Sequence, residues 1–491
     1  MGGSRQEHPD SEAQLPRSPA RVRLSHVWAV VAIAVPVIVV ATTPLVTLDL
    51  AYQIRAGNIM LSTDHLLRTD VLTFSAFGRP WLNQQWGAQL ILAGVYRLGG
   101  WLGLALLRGL LMTAILVLLF LACRVAGSSR RLAALLTFGS AFVMAGGFQL
   151  RAQLLGMLCF AAVLLLVADR SSHPGRLWLA LPIVVLWANL HGSFFLAPIM
   201  FGLAWVEDRS RHSPWVRRTL LVGVGTILAS LVNPFGLLVW KYVSDISTSP
   251  LIRRSVEEWQ PPSLRIYAGV TFFASVVLVA LYLARRGRPT PWPALLALGV
   301  FFAIGLTSVR GVFWWGMEAP VVIAGLTRSQ EPRSEGADPA SSLNVALVVA
   351  LILITIGAFV RWMPYASTEK SPPERLLAFA PAGITNELKR TLQPGDRVFD
   401  AQEWGSWFEL ALPDNPVLVD SRWEVVPEDV WRRYGGVSNG QEGWQSVLDA
   451  WNVRVVVAAR DQQQGLIPRI AGDPGWRLLY KDDDGLIFIR R

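Results

Sequence analysis

This chain has little of what soluble catalysts are made from. Only 16% of its 491 residues are charged, 52% are hydrophobic, and the mean hydropathy is +0.40. That excludes an ordinary soluble domain and implies a chain that crosses a membrane several times. There are two cysteines, Cys123 and Cys159, both in or near apolar runs and neither with a ligand-like partner in sequence. Neither a disulfide framework nor a zinc site follows. No internal repeat is evident. The first apolar run lacks a convincing small-residue cleavage site and reads as a retained anchor. The polar C-terminal part has no phosphate-binding glycine loop and no catalytic-triad signature. The net charge of +10 does not imply a nucleic-acid partner, because the arginines stand in short connections between apolar segments, where they set topology. The 21 tryptophans fit interfacial belts.

The organisation read from these runs is an all-α polytopic membrane domain followed by a small soluble α/β domain. Residues 1–25 are polar and read as a disordered cytoplasmic tail. Residues 26–365 hold about eleven spans, at 27–48, 101–122, 132–147, 152–168, 177–190, 192–206, 219–233, 266–284, 291–308, 311–327 and 343–362. The segment 84–98 reads as a helix on the outer interface rather than a span. With the N-terminus inside, clusters such as Arg130-Arg131, Arg217-Arg218 and Arg285-Arg286 fall on the inner side. The short outer connections then hold only Arg151 and Arg310. The outer loops are 49–100 and 234–265, and 328–342 is a cytoplasmic linker. An odd number of spans puts residues 366–491 outside. There RVFDA, PVLVD, VRVVVAA, WRLLY and LIFIRR read as strands, and ERLLAFA, ITNELKRTL and GWQSVLDAW as helices. The Asp482–Asp484 run reads as a hairpin turn closed by Gly485, not as a metal site.

Threaded this way, the unusual polar residues gather on one side: Asp49, Trp81, Arg151, Gln153, Asn189, His191, Asn233, Glu257, Glu258 and Arg310. Polar groups at membrane depth are costly and usually functional. Each has two readings. Asp49 starts a helix as a favoured N-cap residue, or serves as a general base or metal ligand. Asp70 shares that ambiguity. Trp81 and Trp86 anchor a belt or carry a sugar ring. Arg151 and Arg310 snorkel to the interface or grip a phosphate, whose oxygens match a guanidinium bidentately. His191, in WANLHGSFF, seals a helix turn or moves a proton. NPFG at 233–236 is a helix stop. Arg108 lies about 11 Å into its span and needs an acidic or carbonyl partner, expected from the first outer loop.

Order and spacing add a resemblance. Asp49 opening an amphipathic helix that ends in Gly (matched by Gly57), Asp70 before VLTF, and Pro80-Trp81 before a short helix come first. Arg151 and Gln153 open a later span. Trp187, Asn189, His191 and Gly192, then Asn233 to Gly236, then Glu258-Trp259 follow. Over roughly residues 27–330 this resembles a bacterial branch of the GT-C superfamily of membrane glycosyltransferases. The branch has a similar soluble tail with W-G and D-x-R elements, matched by Trp404-Gly405 and Asp420-Ser421-Arg422.

The resemblance implies transfer of a sugar from a polyprenyl-phosphate donor to a glycan or lipid acceptor, at the outer leaflet of a bacterial plasma membrane. It implies Asp49 as base and Asp70 as a second carboxylate. Arg151, Arg310 and Arg108 are candidates for the donor phosphate. Trp81, Gln84, Gln85, Gln153, Asn189, His191 and Glu258 are candidates for substrate contacts. A Mg²⁺ or Mn²⁺ ion is an open option. The chain departs from the branch where a His and a His-Glu pair are common: it has Gln53 and Gln84-Gln85, and Gln cannot take a proton at neutral pH. A non-catalytic assembly scaffold therefore stays open. A transporter or flippase ranks lower, because such proteins place polar groups near the midplane, often in repeated halves.

Overall fold

A computed structural model describes residues 22–327, 340–367 and 377–491. Most of the tail 1–25 and of the linker 328–342 lies outside the described residues. The chain is mostly helical, with a small mixed sheet at its C-terminal end. In chain order the helices are α1 Leu24–Thr42, α2 Asp49–Thr63, α3 Trp86–Ala126, α4 Arg130–Val143, α5 Ala152–Ala168, α6 Ala180–Leu190 and α7 Leu196–Ser210. Then come α8 Val216–Ala229, α9 Leu238–Thr248, α10 Pro250–Ser255, α11 Tyr267–Arg285, α12 Trp292–Thr307, α13 Val309–Leu326 and α14 Ser342–Gly357.

Among the described residues, four helices are long and apolar enough to cross a membrane: Leu24–Thr42, Trp86–Ala126, Tyr267–Arg285 and Ser342–Tyr365. The expected count of eleven spans is therefore not met by length and composition. The other predicted spans do contain helices, but shorter ones. Predicted span 132–147 stops at Val143, and 219–233 at Ala229. Their ends give way to turns of tighter pitch, at Ala145–Phe148 and Gly192–Phe195 among others. Ser193, in the second of these turns, lines the site.

The segment 84–98 is not a separate interfacial helix. It is the first part of α3, which breaks direction at Gly100. Gly100 has φ +54° and ψ −145°, and a Cβ there would meet the backbone of Tyr365 and Ala366 at under 3.0 Å. Only glycine permits both. The bend lets residues 86–99 lie along α2 while the rest of α3 continues into the bundle against α5. The α2–α3 contact is tight at Gly57, where a Cβ would stand 2.1 Å from the Gln89 carbonyl oxygen. This close approach fixes α2, and hence Asp49 at its first position.

The C-terminal part holds α15 Ala382–Thr391, β1 Val398–Phe399, α16 Gln402–Ala411, α17 Glu428–Ser438, α18 Trp444–Ala450, β2 Val455–Ala459, α19 Leu466–Ala471, β3 Trp476–Lys481 and β4 Gly485–Arg490. The sheet order is β1-β2-β4-β3, with β1 parallel to β2 and the other pairs antiparallel. The all-apolar β2 is buried along its whole length, as a central strand covered by helices must be. Asp482 accepts backbone N–H bonds from Asp484 and Gly485, closing the β3–β4 hairpin.

Two expected elements differ. PVLVD forms isolated bridges instead of a strand: Val417 pairs with Val398 on one side and with Thr73 of the first outer loop on the other. Of ERLLAFA, residues 374–376 lie outside the described residues. Leu377 bridges Leu45, and the residues after it turn rather than coil. Both exchanges tie the C-terminal domain to the membrane half by backbone pairing.

Candidate active site

A cavity of about 780 Å³ opens where one end of the helical bundle meets the C-terminal domain. Four parts of the chain supply its wall. The start of α2 gives Asp49 and Tyr52, and the start of α5 gives Arg151 and Gln153. The outer loop 234–265 gives Tyr242 and Glu258, and the start of α13 gives Arg310. The C-terminal domain closes it with Ser421, Trp423 and Glu424.

An ion-pair chain spans the cavity. Arg151 donates from Nη1 to Glu258 Oε2 at 2.7 Å. Arg310 donates from Nε and Nη2 to the same oxygen at 2.9 Å, with its guanidinium 5.0 Å from the Trp259 ring centre. Burial works to raise the Glu258 pKa, but the two guanidiniums outweigh it and hold the carboxyl at about 2. Burial works to lower that of Arg151, and Glu258 with Asp49 overrides it. Two cations thus share one firmly ionised carboxylate. Nε and Nη2 of Arg151 are buried without a hydrogen-bond partner, as are both polar atoms of Gln153 and Oε1 of Gln149. Buried donors without partners cost about 1–3 kcal/mol each, so such a row along one cavity wall marks where a ligand would bond.

Asp49 faces this row from α2. Ser421 of the C-terminal domain donates a hydrogen bond to its carboxylate. Burial raises its pKa, the fields of Arg151 and Arg310 oppose that, and Glu258 adds to it; the net shift is upward. A carboxylate with a raised pKa is the better proton acceptor.

His191 is also on the wall, but its Nδ1 accepts from the Ser193 backbone N–H and lies 2.8 Å from the Ser193 hydroxyl. Burial, then Arg310 and Arg151, push its pKa down to about 3, so the ring is neutral and serves the turn. Gln85 lines the cavity and accepts from Gln53 at 3.0 Å. Two of the Gln residues noted as departures, Gln53 and Gln85, thus bond to each other.

Other predicted residues lie elsewhere. Asp70 is fully buried away from the cavity. It accepts from the backbone of Leu72 and Thr73 and from the Thr73 hydroxyl, and pairs with Arg422 Nη1 at 2.7 Å. Trp81 lies under the same arginine, 4.5 Å from ring centre to guanidinium carbon. Arg422 also meets Asp420 and, at 3.7 Å, Glu409. This knot fastens the first outer loop to the C-terminal domain; neither Asp70 nor Trp81 lines this cavity, and Trp81 lines a second one beside it.

Arg108 is likewise not at the site. It caps the outer end of α1, donating to the carbonyls of Val40, Thr43 and Pro44, which precede the outer loop expected to partner it. Free carbonyls at a helix end satisfy a buried guanidinium without an acid. Asn189 donates to the Val185 and Val232 carbonyls and accepts from Trp86, so it braces a turn. Gln84 donates to the Ala188 carbonyl.

Sequence reading missed Glu424, Tyr242 and Ser421. The D-x-R element at 420–422 was the available signal, and its neighbours are the residues that enter the cavity. Among the described residues no three of His, Cys, Asp or Glu converge on one point, and Glu258 is already occupied by two arginines.

No family model matches the chain, and no curated protein matches it in sequence. Solved structures do match in fold. The archaeal oligosaccharyltransferase AglB from Archaeoglobus fulgidus, solved with an inhibitory peptide and a dolichol-phosphate, aligns over 95% of this chain and 74% of its own, with TM-score 0.57 and 15% identity. ArnT from Cupriavidus metallidurans, bound to undecaprenyl phosphate, aligns over 94% and 97%, with TM-score 0.51 and 15% identity. The arabinofuranosyltransferase AftD from mycobacteria aligns over 95% of this chain but 40% of its own, with TM-score 0.53 and 16% identity. The fold of this chain is the one these three solved structures share.

Proposed function

We propose that this protein transfers a sugar from a polyprenyl-phosphate donor to a hydroxyl of a cell-envelope acceptor, at the outer face of a bacterial plasma membrane. The observation that carries it is the cavity wall: Arg151, with two buried unpartnered nitrogens, stands beside Arg310 and opposite the raised carboxylate of Asp49. The arginines suit a lipid phosphate. Asp49 takes the proton of the acceptor hydroxyl as its oxygen bonds to the anomeric carbon. The bond from that carbon to the phosphate oxygen breaks, and the phosphate leaves with the electron pair and its lipid. Attack from the side opposite the leaving phosphate inverts the anomeric carbon. Two of the structural neighbours were solved with polyprenyl phosphates, which supports this donor class.

The test is a transfer assay on purified protein in bilayers, with a panel of polyprenyl-phosphate sugars and wild type beside Asp49→Asn. Loss of a general base costs about 10²–10⁴ in rate. We expect one donor to be consumed by wild type and a loss in that range in a variant that melts like wild type. A panel left wholly intact by wild type refutes the reading. The base must be ionised, so kcat/KM should rise with pH through an inflection above the ordinary Asp value of 3.8.

A further inference from the structure

The reaction as written leaves one carboxyl of the cavity unused. Glu424 comes from the C-terminal domain, in the segment that runs from Asp420 to α17. Ser421 in that segment already bonds to Asp49, and Arg422 is locked in the knot with Asp70. Trp423 is stacked on Trp431, with ring centres 3.9 Å apart and planes 13° from parallel. The backbone that carries Glu424 is therefore held on both sides. Its side chain is exposed, but it is exposed to chambers of the protein.

There are two such chambers. Beside the first lies a second of about 710 Å³, bounded by Arg79, Pro80, Arg254 and Glu428 among others. Tyr242, Ile246, Ile252, Ser255, Trp423 and Glu424 line both, so they form the passage between them. The Tyr242 hydroxyl is 3.5 Å from Glu424 Oε1 across it. The chambers differ in charge. The first holds the Arg151–Glu258–Arg310 chain. The second mixes Arg79 and Arg254 with Asp245, Glu424 and Glu428, a lining suited to a polar ligand without strong net charge.

We propose that Glu424 is an acceptor-positioning residue: at the passage between the chambers it hydrogen-bonds one hydroxyl of a sugar-bearing acceptor and so turns a neighbouring hydroxyl toward Asp49. The inference rests on the glycosyltransferase reading and adds the acceptor class and its entrance to it. Burial, opposed by Arg422 and reinforced by Asp420 and Asp49, brings the carboxyl up to about 7. Near neutral pH it can then both donate to and accept from a hydroxyl. Tyr242, whose own hydroxyl burial keeps protonated, donates beside it.

The experiment uses the full chain in bilayers, the donor that wild type consumes, and octyl β-D-glucopyranoside, octyl β-D-mannopyranoside and octyl β-D-galactopyranoside as acceptor probes. Wild type is compared with Glu424→Gln and Glu424→Ala. Losing a hydrogen bond to a hydroxyl should raise the acceptor KM of Glu424→Ala about tenfold, with Glu424→Gln within about threefold of wild type. Undecaprenyl phosphate affinity and the melting temperature should match wild type in both variants. An unchanged acceptor KM in Glu424→Ala overturns the inference and leaves the transferase reading standing. So does a loss of undecaprenyl phosphate affinity, which would place Glu424 on the donor side. A wild type that hydrolyses a donor yet transfers to none of the probes overturns the sugar-bearing acceptor. A wild type that consumes no donor overturns both readings.

Discussion

Two arginine-centred clusters sit at the same seam and are built on opposite balances. In the knot, one cation, Arg422, meets three carboxylates, Asp70, Asp420 and Glu409, between the rings of Tyr52 and Trp81. In the cavity, two cations, Arg151 and Arg310, meet one carboxylate, Glu258. The knot has a surplus of negative charge and is buried, so a proton relieves it. Burial and then Asp420 push the Glu409 pKa well up, against the pull of Arg422. The Arg151–Glu258–Arg310 cluster has two cations to one carboxylate and unpartnered nitrogens on Arg151, which suits it to an incoming anion. The lesson is that an arginine–carboxylate cluster says little by its presence. Its charge balance and its spare hydrogen-bonding capacity separate a fastening from a binding site.

That contrast can be broken by substitution. Arg422→Met leaves Asp70 and Asp420 buried without their cation. Such a loss costs about 3–5 kcal/mol. Thermal unfolding should drop accordingly, and the loop around residues 64–85 should become open to protease; an unchanged melt would show that the knot does not fasten the loop. Arg151→Met should bind undecaprenyl phosphate about 10–100-fold more weakly, the worth of charge-assisted hydrogen bonds, while melting close to wild type. Equal loss of phosphate binding in Asp70→Asn would erase the distinction between the clusters.

A subtler test uses pH. Because the Glu409 pKa is raised in the folded state, the native protein holds a proton that the unfolded chain releases. Its stabilising contribution is complete below the ordinary Glu value of 4.5 and declines as pH rises toward the folded value. Glu409→Gln keeps the shape and removes the titration, so its melting temperature should fall less steeply than that of wild type above pH 4.5. The smallest effect is expected at His191. With the ring already neutral near pH 7, His191→Asn keeps an acceptor for Ser193 and should change kcat/KM by less than about tenfold, the worth of one hydrogen bond, without moving the pH profile.

Much of the cavity was legible because topology alone sorts residues by side. Once the arginine clusters fix the inner face, Asp49, Arg151, Gln153, Glu258 and Arg310 fall together on the outer one, and the fold brings them to one wall. Asp70 and Arg108 lie away from both chambers, and Trp81 lines only the second, for one physical reason. Their partners are Arg422 and the α1 carbonyls, and a pairing across the sequence leaves no local pattern. The same blindness hid Glu424. A single Glu in a soluble segment carries no periodicity, and only the docking of that segment against α2 gives it a chamber to face. Span lengths were overread because hydropathy runs on through the tight turns at 145–148 and 192–195, where the helices end.

The knot also imposes a timetable. Asp70 and Arg422 lie 352 positions apart in a chain that is made from one end. At about 5–20 residues per second, the first outer loop emerges roughly 20–70 s before the arginine that will hold it. During that interval Asp70 and Trp81 are without their arginine, and α2 has only α3 to lean on. The membrane half therefore waits for its own last quarter, and any chain that stops before Arg422 leaves the loop carrying Asp49 unfastened.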